Sequence, residues 1–343
     1  MSVRPQGLPT LIIHAPGIHN GGGLVLLNSL LLVAELSIHW LQMDQRLQEH
    51  FQLPSVTKKY YIKRSIFSRI LAEWHLRLRT QKNDIVLCFH GLPPLFSLRG
   101  RVVVFLQNRI LVNQKRIGGY LLRTKVRLML ERWLLSTFSH HVDKFIVQTP
   151  SMAQDVKKIL GSDIDIVVLP FSDSMNFESY ALPKQFDFIY VAGDEAHKNH
   201  KTLIETWRLL SDVGMMPSLA LTLPVDSTLA REIEIYKTKH KLNISNLGTL
   251  KFSEISCVYR SSSALIYPST TESLGLPLIE ASQHGLPILA PEMDYVRDVV
   301  QPVQTFDPYS SVSIARAVMR FLGQPEPILT MKTPADFLAE VLK

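Results

Sequence analysis

Three features of the chain could do chemistry together: two carboxylates eight positions apart, Glu272 and Glu280; the loop between them; and a lysine far upstream, Lys198. The carboxylates stand in YPSTTESLGLPLIEASQHGLPILAP, which reads as strand, loop, helix, turn and strand. The loop Ser273, Leu274, Gly275, Leu276 opens the helix, whose first turn leaves backbone N–H groups unpaired and suited to a phosphate or a polar sugar. Gly275 permits a close approach of backbone to ligand. Two carboxylates set across such a loop can hold hydroxyls at both ends of an extended ligand. Lys198 follows the apolar run FDFIYVAG in a polar loop, so a cation sits where a strand ends. A cation there can neutralise charge that develops on a departing phosphate. Taken singly, each of these residues has an ordinary alternative, a solvated helix charge or a surface lysine.

The spacing of the carboxylates, with Ser-x-Gly-x-Pro between them and Ala after, resembles the signature of glycosyltransferase family 4 and its relatives. The resemblance implies that Glu272 contacts the donor sugar and Glu280 the ribose, while the amides of Ser273, Leu274, Gly275 and Leu276 meet the diphosphate and sugar. Lys198 takes the place of one donor-phosphate cation of that family, and Ala192 stands where the family usually carries an Arg. His197, Lys201 or Arg109 are the residues that could compensate, and His197 and Leu250 are placed with the donor-binding residues. The first strand runs into Gly21, Gly22 and Gly23, a loop resembling the one that faces the diphosphate from the opposite domain in the family. Gly22 and Gly23 therefore join the donor set. At the end of another apolar run Gln107 replaces a His common among relatives, and Asn108 and Arg109 are expected to line the cleft.

These implied roles describe a retaining enzyme that moves a hexosyl unit from a UDP- or GDP-sugar to a glycan, with a polyprenyl-diphosphate-linked oligosaccharide of lipopolysaccharide O-antigen or capsule assembly as the expected acceptor. A sugar-nucleotide epimerase or hydrolase, or a non-catalytic sugar-nucleotide-binding subunit, would use the same cleft. No His-Glu-x-x-His, Cys-x-x-Cys, Gly-x-Ser-x-Gly or Walker-type loop occurs, so no metal or other cofactor is expected beyond the donor as substrate.

The elements that must position these residues follow from the alternation of short apolar runs with stretches of helical period, the pattern of parallel sheets flanked by helices. Strands are predicted at residues 11–14, 37–43, 84–90, 101–107, 144–148 and 166–169, then at 188–191, 219–223, 263–267 and 287–290. At 343 residues two cores are expected. The reading is α/β, two doubly wound Rossmann-like domains over 1–172 and 186–327, which the family resemblance makes GT-B in type, the first on the acceptor side and the second binding the nucleotide-sugar. The polar stretch 173–185 links them, and a helix at about 328–343 packs back on the first.

Charge is divided between the two halves. Residues 1–170 hold 22 Lys and Arg against 10 Asp and Glu, a net +12, while the rest holds 15 against 20, a net −5. The basic half suits an acidic membrane surface or a lipid pyrophosphate. Residues 115–133 read as a helix with Arg116, Tyr120, Arg123 and Arg127 on one acceptor or membrane side, and residues 58–64 form a second basic cluster among tyrosines. No nucleic-acid motif accompanies the charge. The N-terminus lacks a signal-like run, and Cys88 and Cys257 lie far apart, so a cytoplasmic protein, peripheral on the inner face of the membrane, is the expectation.

Overall fold

A computed structural model describes residues 10–19, 21–33, 38–48, 58–113, 120, 122–172, 182–326 and 333. Two parallel sheets form, each sandwiched by helices, which is the α/β arrangement of two doubly wound domains that the alternation predicts. In the first domain β1 (Leu11–Ala15), α1 (Gly21–Val33), β2 (Ile38–Asp44), β3 (Lys58–Ile62), α2 (Ile66–Arg79), β4 (Ile85–Cys88) and β5 (Arg101–Phe105) are followed by α3 (Leu122–Phe138), β6 (Lys144–Val147), α4 (Pro150–Leu160) and β7 (Ile166–Val168). The sheet order is β3-β2-β1-β4-β5-β6-β7. One face packs on α1 through Ile13, Leu27, Leu31 and Leu41; the other packs on α2, α3 and α4 through Ile12, Leu76, Leu128 and Met152. The strands are apolar on both faces because helices cover both.

The second domain runs β8 (Phe186–Tyr190), α5 (His200–Asp212), β9 (Leu219–Leu221), α6 (Thr228–His240), β10 (Ile244–Asn246), α7 (Phe252–Arg260) and β11 (Ser262–Ile266), then α8 (Leu276–Gln283), β12 (Ile288–Pro291), α9 (Asp294–Arg297), β13 (Gln304–Phe306) and α10 (Ser311–Phe321). Its order, β10-β9-β8-β11-β12-β13, places β8 and β11 side by side at the centre. Leu203, Trp207 and Leu210 of α5 recur at helical spacing and are buried, and Trp207 donates its indole N–H to the Pro217 carbonyl at 2.8 Å. Helix starts follow the side chains available: Thr149, Ser227 and Ser310 each accept the N3 amide of the helix that follows.

Three strands escape the sequence reading: β3, β10 and β13. All are edge strands. The helix predicted over residues 115–133 begins, as described, at Leu122, and Tyr120 lies in a bend before it rather than on its face. Arg116, most of the linker at 173–185 and the helix at 328–343 lie outside the described residues.

Candidate functional site

The loops after β8 and β11 carry the predicted chemistry, and the central pairing of these strands brings them together. After β8 a short 3-10 turn, Ala196–Lys198, ends at Asn199, which adopts the left-handed region (φ 62°) and starts α5. Asn199 holds that turn by donating to the Pro268 and Pro308 carbonyls at 3.2 and 2.6 Å, and the Tyr190 hydroxyl donates to the Lys198 carbonyl at 2.6 Å. The His197 carbonyl accepts from the Thr270 amide at 2.8 Å and from Ser269 Oγ at 3.1 Å. The two loops are thus one hydrogen-bonded body.

On that body Lys198 Nζ donates to Glu272 Oε1 at 2.7 Å, although the residues are 74 positions apart. The same oxygen accepts from Ser269 Oγ at 2.6 Å and the Tyr267 hydroxyl at 2.8 Å. Among the described residues every hydrogen bond that Glu272 accepts falls on Oε1. Burial pushes the Glu272 carboxyl up, but the Lys198 charge and these hydrogen bonds outweigh it and hold the group below its usual range. Glu272 is a carboxylate at neutral pH. Glu280 is anchored elsewhere, on the buried Tyr259, whose hydroxyl donates to Oε2 at 2.9 Å; burial pushes this carboxyl up against the opposing effect of that bond. No hydrogen bond joins the two glutamates.

Between them the loop turns at Gly275, where φ is +75° and an added Cβ would lie 3.0 Å from Leu278 Cδ1. This turn starts α8, with Pro277 inside its first turn. Ser273 and Leu276 are half-buried and Leu274 buried. Leu276 reaches across to pack on the α1 side of the first domain, and a Cβ on Gly22 would come within 3.3 Å of its Cδ1. The N-termini of α1 and α8 therefore meet at the cleft, one from each domain, each with unpaired N–H groups and a positive dipole end. Gly23 lies against Gln107, whose amide donates to the Phe89 carbonyl at 2.6 Å.

His197 faces the first domain, and its Nδ1 lies 2.8 Å from the Tyr120 hydroxyl. Burial lowers the pKa of this imidazole and raises that of Tyr120 to about 12. The phenol is then the donor and the neutral imidazole the acceptor, leaving the His197 proton on Nε2. Tyr120, expected on the acceptor or membrane side, reaches the second domain. Arg109 is held by Asp155 of α4 at 2.9 Å, and Lys201 is exposed and paired with Glu232 at 3.5 Å. Of the three candidates to replace the cation missing at Ala192, His197 adjoins Lys198 in the chain, but as a neutral imidazole it adds no charge there. Asn108 spends its side-chain oxygen on the Ile110 amide at 3.1 Å. Leu250 is half-buried in the loop between β10 and α7. Arg123 and Arg127 are exposed on α3.

The supporting residues Tyr190, Asn199, Tyr267, Ser269 and Tyr259 carry no signal in the sequence that separates them from core residues. A further cluster escapes spacing altogether: buried His14 and Glu73 meet at 3.1 Å with His90 close by, from β1, α2 and the end of β4. His14 already directs its two ring nitrogens at Gln42 and Glu73, which satisfies them as a buried polar network.

Residues 172–335 match the family model described as glycosyl transferases group 1. Over 246 residues the chain is 27% identical to the serotype-specific mannosyltransferase WbdA of Escherichia coli, covering 61% of this chain and 30% of that protein. It is 23% identical over 171 residues to the O-antigen chain mannosyltransferase RfbU of Salmonella typhimurium, covering 49% and 48%. The matched region thus spans less than half the length of these relatives. Among solved structures, sucrose-phosphate synthase from Thermosynechococcus elongatus superposes with a TM-score of 0.69 at 16% identity, covering 93% of this chain and 90% of that one. HepE of Anabaena, in complex with UDP-glucose, gives 0.67 at 13% identity, covering 92% and 90%. These superpositions show the GT-B fold, and the sequence matches support a glycosyltransferase.

Proposed function

We propose that the chain is a retaining glycosyltransferase that moves a hexosyl unit from a UDP- or GDP-sugar to a lipid-linked glycan, with mannose the sugar that its matched relatives favour. The observation that carries the reading is the Lys198–Glu272 pair beside the convergent N-termini of α1 and α8. The donor diphosphate would lie on the α8 amides, with Lys198 turning from Glu272 to a phosphate oxygen. Glu272, still held by Tyr267 and Ser269, would orient the sugar hydroxyls, and Glu280 the ribose. In transfer the bond from the anomeric carbon to the phosphate oxygen breaks, and the acceptor oxygen bonds to that carbon on the same face. The acceptor's hydroxyl proton passes to the departing diphosphate oxygen. This route needs no general base, consistent with Gln107 in place of a His.

Thermal unfolding with UDP, GDP and their sugars tests the donor site: one base should raise the transition by several degrees. No shift with any nucleotide would sink the assignment. Glu272→Ala should lower transfer by about 10²-fold or more while nucleotide binding persists; an unchanged rate removes Glu272 from the sugar site. Release of free sugar or an epimer without a glycosylated product would favour a hydrolase or epimerase in the same cleft.

A further inference from the structure

Helices normally turn their apolar side chains to the core and their polar ones to water. Helices α2 and α3 depart from this. On α2 the buried residues are Ala72, Glu73 and Leu76, whereas Ile66, Phe67, Ile70, Leu71, Trp74 and Leu78 are exposed, Ile66 to 79% and Phe67 to 77%. At about 100° per residue the exposed set centres roughly 150° from the buried one. The same holds on α3, where Leu128 and Leu135 are buried while Leu122, Val126, Met129, Leu130 and Trp133 are exposed. Each helix has an apolar core face and an apolar outward face.

The two outward faces are neighbours. Both helices pack on the same side of the first sheet. The loop between β4 and β5 ties them: Phe96 stacks edge-on against Trp74 at 5.5 Å, and the Pro94 carbonyl lies 2.9 Å from His141 Nδ1 just past α3. Arg69 of α2 also acts electrostatically on the Glu131 carboxyl of α3. Of the 22 large apolar side chains exposed among the described residues, these two helices carry 11, so the exposure is concentrated rather than scattered.

Cations rim this surface. Lys63 and Arg64 precede α2, Arg77 lies over the Trp74 and Phe96 rings at 5.9 and 5.8 Å, and Arg123 and Arg127 flank the α3 stripe. Long cationic stems that lie along apolar surface with their heads outward, and tryptophans at its border, suit the headgroup layer of a bilayer. No helix among the described residues is long and apolar enough to cross a membrane, so such a surface would lie in the interface. A second copy of the chain fits it less well, because a two-fold contact would bring the same cationic rim onto itself.

We propose that the outward faces of α2 and α3 form a docking surface for an anionic lipid bilayer, into whose headgroup region Phe67, Trp74, Leu122 and Met129 insert. The N-terminal ends of both helices lie at the cleft end of the sheet, which would hold the cleft mouth near the membrane. That purpose rests on the lipid-linked acceptor proposed above; the binding itself does not.

Flotation of the whole chain with vesicles rich in phosphatidylglycerol, without donor or acceptor, tests the surface. The protein should float with these vesicles and not with phosphatidylcholine alone, and part of the binding should survive a rise from about 0.1 M to about 1 M salt because of the apolar insertion. Ile66→Ser with Phe67→Ser should lower bound protein by about tenfold or more, and so should Leu122→Ser with Met129→Ser on the other helix. Since all four side chains are exposed, circular dichroism and the unfolding transition should be unchanged. Failure to float, binding that the apolar variants leave intact, or a dimer in solution that they dissociate would each overturn the proposal. Because nucleotide-induced stabilisation is read separately, failure here and failure of the donor site are distinguishable.

Discussion

In the proposed reaction Lys198 would serve two ends. While it pairs with Glu272 it keeps a mostly buried carboxylate charged, and Tyr267 and Ser269 hold the same oxygen, so the carboxylate would keep partners if the lysine turned to a phosphate. Lys198→Ala should therefore reduce transfer by about 10²–10³-fold through loss of leaving-group stabilisation, with Lys198→Arg partly restoring it; equal rates for the two variants would contradict the charge role. His200 gives a separate reading at the same scale. Burial lowers its pKa from 6.5 to about 3, with help from the nearby Lys198 and His197, and among the described residues neither ring nitrogen finds a hydrogen-bond partner. A folded pKa below the unfolded one means that protonation favours unfolding. The contribution is complete above 6.5 and is lost as pH falls toward 3, by on the order of 2 kcal/mol at about pH 5. Chemical denaturation between these pH values should show that slope, and His200→Leu should flatten it; an identical slope would assign the effect to other groups.

At the scale of elements, the α8 start depends on one backbone conformation. Gly275→Ala places a side chain in the left-handed region, 3.0 Å from Leu278 Cδ1, so the loop must shift. The expected loss is about 1–2 kcal/mol of stability, together with weaker nucleotide binding in a titration. Unaltered binding would mean that the α8 amides do not meet the phosphates. The same scale explains which elements could be read from sequence. Central strands are covered on both faces, so they stand out as apolar runs. The edge strands β3, β10 and β13 do not: β3 opens with Lys58 and Lys59, and β10 and β13 are three residues long. Short, charged edges are how sheets avoid pairing with other chains, and they erase the pattern by which a strand is recognised. For α3 the cations Arg123 and Arg127 suggested a binding face, but Tyr120 lies in a bend outside the described helix, whose distinguishing feature is the apolar stripe beside those cations.

At the scale of the molecule, the contacts that join the domains at the cleft include, among the described residues, Gly22 against Leu276, Tyr120 with His197, Asn113 Nδ2 with Thr271 Oγ1 at 3.4 Å, and the Ser151 amide with Asp298 at 3.1 Å. Three of these are hydrogen bonds rather than apolar packing, which suits domains that open and close around a ligand. Tyr120→Phe removes one hydrogen bond of about 1 kcal/mol, so nucleotide affinity should fall by about two- to fivefold with little change in unfolding. No change in affinity would separate this contact from the donor site.

The spacing of Glu272, Gly275 and Glu280 was legible because it is local: a loop and the helix it opens fix those residues by backbone geometry alone. The two-domain parallel architecture was legible too, since burial on both faces of a sheet is written into each central strand. What paired with what was not. The Lys198–Glu272 contact spans 74 positions, Arg109 is taken up by Asp155 46 positions away, and Tyr120 crosses to the other domain. Such partners are chosen by how strands order and domains approach, which no local pattern encodes. The outward apolar faces of α2 and α3 belong to the same class, because a helix sequence shows which side chains are apolar and only the packed sheet decides which of them it leaves uncovered.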